Sequence, residues 1–320
     1  MSIDLQYLLW LQDLRNATGG IFNEVFNGLS KFAVDIMPFL PYLIFWGLSR
    51  TWGYRFILTH SLGELVNGVV KLTVCAYRPW IRSDKIIPAG DSKTAATGYS
   101  FPSGHSESAA TTYGCTVAAT WNRKRWVAVM CIVLIALTGF SRNFLGVHTP
   151  QDVIVGITEG VLMVLLVGRL MKWLDGDDKR TDLMTVVGVA VVAIALVYVT
   201  LKHYPEDVVD GKLLVDPQKM MNDCFKACGA MVGVLAGSYV ERHKIHHEVP
   251  TGAPLLPLVS GVGLGILFAW KNYFAGATVV ALLGPHWGNF VARFMMAFFG
   301  VAIWPLVIRS FCGEGARQEA

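Results

Sequence analysis

Between Asp182 and Lys202 the chain runs through 19 residues, Leu183 to Leu201, without one charged side chain. That length is close to the roughly 20 residues a helix needs to cross the hydrocarbon layer of a bilayer. Backbone amides in lipid must find partners within their own segment, so such a run has to be helical. The pattern recurs. Val249 to Trp270 is also free of charge, and Trp126 to Ser141, bracketed by Arg125 and Arg142, is uncharged and almost wholly apolar. Of 320 residues 16% are charged and 53% hydrophobic, too little polarity to cover a soluble core of this size. The expected fold is all-α, a polytopic membrane helical bundle forming one integral membrane domain.

Residues 4–15 place Leu5, Leu8, Leu9 and Leu11 beside Gln6, Gln12 and Asp13, which predicts a short amphipathic helix at the membrane interface. Crossings are expected near 34–49, 56–77, 103–121, 126–141, 151–173, 183–201, 219–240, 255–270 and 288–311, about nine in all. The segment 273–285 reads as a half-helix, a re-entrant segment or a short crossing. Pro38 and Pro41 fall in the first crossing, where membrane helices tolerate them. Glu64 and Lys71 fall in the second and are expected to face the bundle interior. The division expected is 1–33 as an interfacial segment, 34–201 as a core and 202–320 as additional C-terminal membrane helices. Residues 1–15 show none of the pattern of a cleaved leader. The six cysteines lie mostly in apolar segments and read as small buried hydrophobes rather than metal ligands.

Three polar clusters stand where lipid would penalise them. The first is Lys71 with Arg78-Pro79, the second Pro102-Ser103-Gly104-His105, and the third Ser141-Arg142 with His148 and Asp152. Counting crossings puts all three on one side of the membrane, because the third and fourth helices form a return hairpin. Lys71, Arg78 and Arg142 supply three cations, and guanidinium groups match phosphate oxygens with paired hydrogen bonds. Ser103 and Gly104 open a predicted helix, whose free N–H groups and positive dipole end suit an anion. His148 and Asp152, four apart, share a face if the fifth helix begins there. The carboxylate can then hold one ring nitrogen and leave the other free to attack. His105 offers a second imidazole to protonate a leaving oxygen.

At these residues the chain resembles the type 2 phosphatidic acid phosphatase family, which shares its site with bacterial acid phosphatases and vanadium haloperoxidases. The three family signatures, Lys71 to Pro79, Pro102 to His105 and Ser141 to Asp152, are present in order and without insertion. The resemblance implies a six-helix phosphatase core, with about three extra helices C-terminal to it. It implies His148 as the nucleophile of a phosphohistidine intermediate, Asp152 as its orienting partner and His105 as general acid. Lys71, Arg78, Ser103, the Gly104 N–H and Arg142 would bind phosphate, with Ser141 supporting a neighbour. No metal and no cofactor are implied. The expected activity is an integral membrane phosphatase acting on a phosphomonoester or diphosphate, with a phosphorylated lipid as substrate. A lipid phosphotransferase using the same site, or a sugar-phosphate phosphatase, are the alternatives.

Elsewhere the readings are plainer. His243, His246 and His247 lie in a charged loop without a fourth ligand and read as solvated. Trp46, Trp52, Trp80, Trp121, Trp126, Trp173 and Trp270 read as an interfacial belt. Glu107 reads as structural. The net charge of +4 fits basic loops rather than a nucleic-acid partner. Loops opposite the site carry Arg50, Arg55, Arg123, Lys124, Arg125, Lys172, Lys179, Arg180, Arg242 and Lys244. Site-side segments carry Arg82, Lys85, Lys93, Lys202, Lys212 and Lys271. That bias predicts an extracytoplasmic active site.

Overall fold

The computed structural model describes residues 1–313 except 91, 97, 176 and 210, and these are predominantly helical. Helix α1 (Ile3–Ala17) is followed by α2 (Phe22–Gly47), which contains a π turn at Phe32–Ile36 and a 3-10 turn at Met37–Phe39. Then come α3 (Arg50–Val74), α4 (Gly104–Thr120), α5 (Arg125–Phe144), α6 (Pro150–Leu174) and α7 (Asp178–Leu201). A minimal antiparallel hairpin, β1 (Val208–Val209) and β2 (Lys212–Leu213), leads to α8 (Pro217–Val240), α9 (Leu256–Leu283) and α10 (Pro285–Cys312). Six of these helices, α2, α5, α6, α7, α9 and α10, are long and apolar enough to cross a membrane by length and composition. Helices α3, α4 and α8 are more polar. The expected all-α polytopic bundle is what the described residues form, with six long helices up to Leu201 and three after it.

Two boundaries differ most from the sequence reading. α2 begins at Phe22, well before residue 34, although Asn23, Glu24, Asn27 and Lys31 interrupt its apolar character. It is an amphipathic start whose Phe26 packs on Phe140 and Phe144 at ring distances of 5.5 and 4.7 Å. The eighth crossing does not end at Trp270. It continues as a π-helical stretch, Trp270–Val280, so 273–285 is no separate element and Lys271 lies within a helix rather than a loop. A π stretch carries more residues per turn, which breaks the 3.6-residue period on which a helix is recognised.

By contacts the chain forms two compact units. The first comprises Met1–Pro38, Gly63–Leu165 and Val199–Met221. Its core includes Ala33, Ala109, Ala110, Tyr113, Cys131 and Ile135, where the small alanine and cysteine side chains let α4 and α5 approach closely. Helix α1 forms as predicted, but Leu5, Leu8 and Leu11 are covered by Ile86 and Phe144 rather than left for lipid. Arg15 fixes it there, donating to the carbonyls of Phe144 and Ile87 at 3.1 and 2.5 Å.

The second unit comprises Phe39–Leu62, Leu166–Tyr198 and the chain from Asn222 onward. In it α8 and α10 are pressed together along Gly229, Gly233 and Gly237, where an added Cβ would meet Phe290, Phe294 and Val301. Small residues spaced by four give backbones this close approach in membranes. Two tryptophans depart from the expected belt. Trp46 is fully buried and donates to the Gly300 carbonyl at 2.7 Å, and Trp270 donates to Ala292 at 2.9 Å. Trp121, Trp126 and Trp173 are exposed at helix ends, as a belt requires. The histidine loop is also only partly solvated. His247 is buried beside the Phe45 ring, and burial pushes its pKa down to about 4. Its backbone N–H donates to Glu241 at 2.9 Å, which draws the chain inward after the turn at His246.

Candidate active site

Every catalytic or phosphate-binding residue named from the sequence lies in the first unit. The construction starts at the head of α6. Pro150 occupies the first helical position, where its fixed φ helps and its missing N–H costs nothing. Thr149 caps the helix. Its Oγ1 accepts from the Asp152 N–H at 3.4 Å, and Asp152 Oδ2 accepts from the Thr149 N–H at 2.8 Å. This reciprocal cap fixes the carboxylate and sets His148 just outside the helix.

Asp152 Oδ2 lies 3.4 Å from His148 Nδ1, while Arg78 Nη1 donates to His148 Nε2 at 2.8 Å. A guanidinium can only donate, so Nε2 presents its lone pair and Nδ1 carries the hydrogen. Burial, followed by the Arg78 charge, holds the His148 pKa well below its usual value, against the opposing pull of Asp152. The ring is therefore neutral at physiological pH, with its basic nitrogen turned to a cation. The Asn143 amide fixes the backbone here by donating to the His148 carbonyl at 2.9 Å.

Each cation is held in place. Arg78 donates to the carbonyls of Gly98 and Val147 at 3.1 and 2.9 Å, and burial lowers its pKa to about 10. Lys71 donates to the Pro102 carbonyl at 2.6 Å. Arg142 bonds the Ser30 hydroxyl through Nη1, while its buried Nε has no partner among the described residues. Burying an unmatched guanidinium N–H is costly, and an incoming anion would relieve it.

Ser103 caps α4, its hydroxyl accepting from the Ser106 N–H at 3.4 Å and the Ser106 hydroxyl at 2.8 Å. Its own hydroxyl hydrogen is left to donate. Gly104 and His105 form the first turn of α4 and are half-buried. His105 is within electrostatic reach of Arg142, His148, Arg78 and Lys71. The Ser103 N–H donates to the Asp152 carbonyl at 2.9 Å, which ties the head of α4 to that of α6. Gly156 permits this, since a Cβ there would stand 2.5 Å from the Ser103 carbonyl oxygen. Ser141 donates to Thr138 at 2.6 Å and so braces the last turn of α5.

Sequence reasoning missed four supporting residues. Ser100 donates to Asp152 Oδ2 at 2.5 Å and lies 3.5 Å from His148 Nδ1. Ser30 and Asn143 hold Arg142 and the His148 carbonyl. Asn67 donates to Glu159 at 2.9 Å, and a Cβ on Gly104 would stand 3.4 Å from its Oδ1. Only Ser100 left a signal, as a hydroxyl two residues before Pro102. Glu107 is buried as expected of a structural group, with Oε1 unpartnered among the described residues. The described residues contain no group of three His, Cys, Asp or Glu arranged to hold a metal.

A family profile described as the PAP2 superfamily matches residues 52–176, which include all three clusters. Phosphatidylglycerophosphatase B of Bacillus subtilis is 30% identical over 173 residues, covering 49% of this chain and 77% of that protein. Lipid phosphate phosphatase delta of Arabidopsis thaliana is 25% identical over 266 residues, covering 78% of this chain and 60% of that protein. Undecaprenyl-diphosphatase of Sulfolobus acidocaldarius is 26% identical over 130 residues, or 40% of this chain and 60% of that protein. No solved structure matches the chain.

Proposed function

We propose that this chain, which belongs to the PAP2 superfamily, hydrolyses a phosphorylated lipid through a phosphohistidine intermediate on His148. The observation that carries this reading is the state of His148: neutral, with Nδ1–H toward Asp152 and the Nε2 lone pair toward Arg78. A phosphate entering beside Nε2 takes the Arg78 hydrogen bond for itself and frees the lone pair. Arg142 Nε, Lys71, the Ser103 hydroxyl and the Gly104 N–H are the remaining donors for its oxygens.

In the first step the Nε2–P bond forms and the P–O bond to the lipid breaks. His105, which takes up a proton as the anionic phosphate enters beside it, passes that proton to the departing oxygen, and Asp152 stabilises the cationic ring of His148. In the second step a water oxygen bonds to phosphorus, the P–N bond breaks, and the water's proton returns to His105. Cationic side chains neutralise the transferring group throughout, so the activity is expected to persist without a metal ion. The relatives bear the names of lipid and polyprenyl phosphatases, and a site framed by apolar helices suits a substrate whose tail stays in the bilayer. Phosphatidic acid, phosphatidylglycerophosphate, prenyl diphosphates and sphingoid phosphates share that chemistry.

The test is phosphate release by the detergent-purified protein from these lipids and from glucose 6-phosphate, in EDTA, beside His148→Ala. Release from a lipid phosphate that disappears in the variant supports the proposal. Failure of every lipid with folded protein, or full activity in His148→Ala, overturns it.

A further inference from the structure

Glu159 is a charge that the proposed chemistry leaves unused. Between Asp152 and Arg169 it is the only charged residue of a largely apolar helix. It lies nine residues beyond the head of α6 at Pro150, or about 14 Å at about 1.5 Å per residue. A carboxylate at such depth is expensive in a membrane bundle and is retained for a partner or a function. Glu159 is buried, and α3 supplies what meets it there. Asn67 Nδ2 donates to its Oε2 at 2.9 Å, and Lys71, one turn further along α3, is within electrostatic reach.

All of these residues belong to the first unit. Asp152, Gly156 and Glu159 are spaced four and three apart, so they share the face of α6 on which Gly156 lies against the Ser103 carbonyl. Asn67 and Lys71, four apart, share a face of α3, and Lys71 donates to the Pro102 carbonyl at 2.6 Å. Both faces therefore meet the turn that opens α4. The Asn67 amide has one orientation available. A carboxylate accepts, so the NH2 group turns to Glu159 and the carbonyl oxygen turns to Gly104, where a Cβ would stand 3.4 Å from it. A buried hydrogen bond to a charged group is roughly twice as strong as a neutral one. Glu159 thus sets the amide, and the amide backs Gly104.

We propose that Asn67 and Glu159 are a positioning pair for the phosphate site, a role that rests on the phosphatase reading above: the pair is a strut between α3 and α6 that holds the Gly104 N–H aimed at a phosphate oxygen. It acts through Gly104 and not on the phosphate itself. Removing a whole oxyanion donor costs about 10²–10³ in rate, and misplacing one by about 1 Å costs up to about 10². Loss of the strut is therefore expected to cost about ten- to a hundredfold.

The test is kcat/KM of the detergent-purified full chain on the lipid phosphate it hydrolyses fastest, with His148→Ala as the blank. Asn67→Ala and Glu159→Ala should each lower kcat/KM about ten- to a hundredfold in protein that remains folded, and the double variant should be no slower than either, because the two act as one unit. Asn67→Asp keeps the shape but sets two carboxylates against each other, and should be as slow. Adding Glu159→Gln to it reverses donor and acceptor, restores the bond and keeps an oxygen toward Gly104, so about tenfold or more of the activity should return. A role in folding alone would lower the melting temperature and leave kcat/KM of the folded fraction unchanged. That result, losses that multiply in the double variant, or no recovery on reversal overturns the proposal while His148 keeps its role. Should the alanine variants fail to fold, Asn67→Asp and its reversal decide by themselves. A wild type that releases phosphate from no lipid fails the phosphatase reading instead, and calorimetry with inorganic phosphate then judges the pair. Binding weakened in Asn67→Asp and regained on reversal supports it, and equal binding by the two overturns it.

Discussion

Ser100 shows what a single hydroxyl can decide. Its 2.5 Å bond to Asp152 Oδ2 fixes the carboxylate that orients His148, without reaching toward the phosphate donors. A hydrogen bond to a charged group is worth about 1.5–3 kcal/mol, so Ser100→Ala is expected to lower kcat about ten- to a hundredfold with KM nearly unchanged. Steady-state kinetics checks this; a rise in KM alone would assign Ser100 to binding. His105→Asn should cost about 10²–10⁴ in kcat on an alkyl phosphate, as loss of a general acid does. The cost should be far smaller on a nitrophenyl phosphate, whose leaving oxygen needs no proton. The depressed pKa of His148 also bears on stability. Between the usual value near 6.5 and the lower native value, the unfolded chain binds the proton that the folded chain refuses. Stability attributable to His148 is whole above about pH 6.5 and declines as pH falls below it. Thermal melts should therefore lose an acid-sensitive component in His148→Gln. The proposed catalytic pair and the three cations were legible because chemistry that costs energy in lipid stands out against apolar sequence. Ser100, Ser30 and Asn143 were not, because polar residues of their kind serve equally as loop or cap.

At the scale of elements, glycines set how closely the site-bearing helices meet. Gly156 lies against the Ser103 carbonyl, and Gly160 would place a Cβ 2.8 Å from the Glu107 carbonyl. Gly156→Ala forces the head of α6 away from the Ser103–His105 turn. Overpacking of this kind costs about 1–3 kcal/mol, which predicts a lower melting temperature and a proportionally larger loss of kcat. Activity measured on protein still folded at the assay temperature separates the two; unchanged kcat would show that the turn tolerates the shift. Helix existence was readable from apolar runs, and α4 to α8 lie within a few residues of expectation. The two failures, the early start of α2 and the continuation of α9 past Trp270, share one cause. Asn23, Glu24 and Lys271 look like helix boundaries in sequence, but Phe26 packs the start of α2 against Phe140 and Phe144, and a cavity receives Lys271.

For the whole molecule the remaining question is orientation, and charge supplies the argument. The turn between α4 and α5 carries Arg123, Lys124 and Arg125, all exposed. The loop that follows α3, in the same unit, carries Arg82 and Lys85 among acidic and apolar neighbours, and Arg82 is paired with Asp4 at 2.8 Å. Short loops rich in Lys and Arg stay cytoplasmic, so the catalytic loops are expected to face the cell exterior, the periplasm or an organelle lumen. Cysteine labelling can read this directly, because five native cysteines are buried and Cys312 is partly so. A membrane-impermeant maleimide applied to the extracytoplasmic face of sealed membranes should label Lys85→Cys and spare Lys124→Cys until detergent opens the bilayer. The reverse pattern would place the phosphatase centre in the cytoplasm.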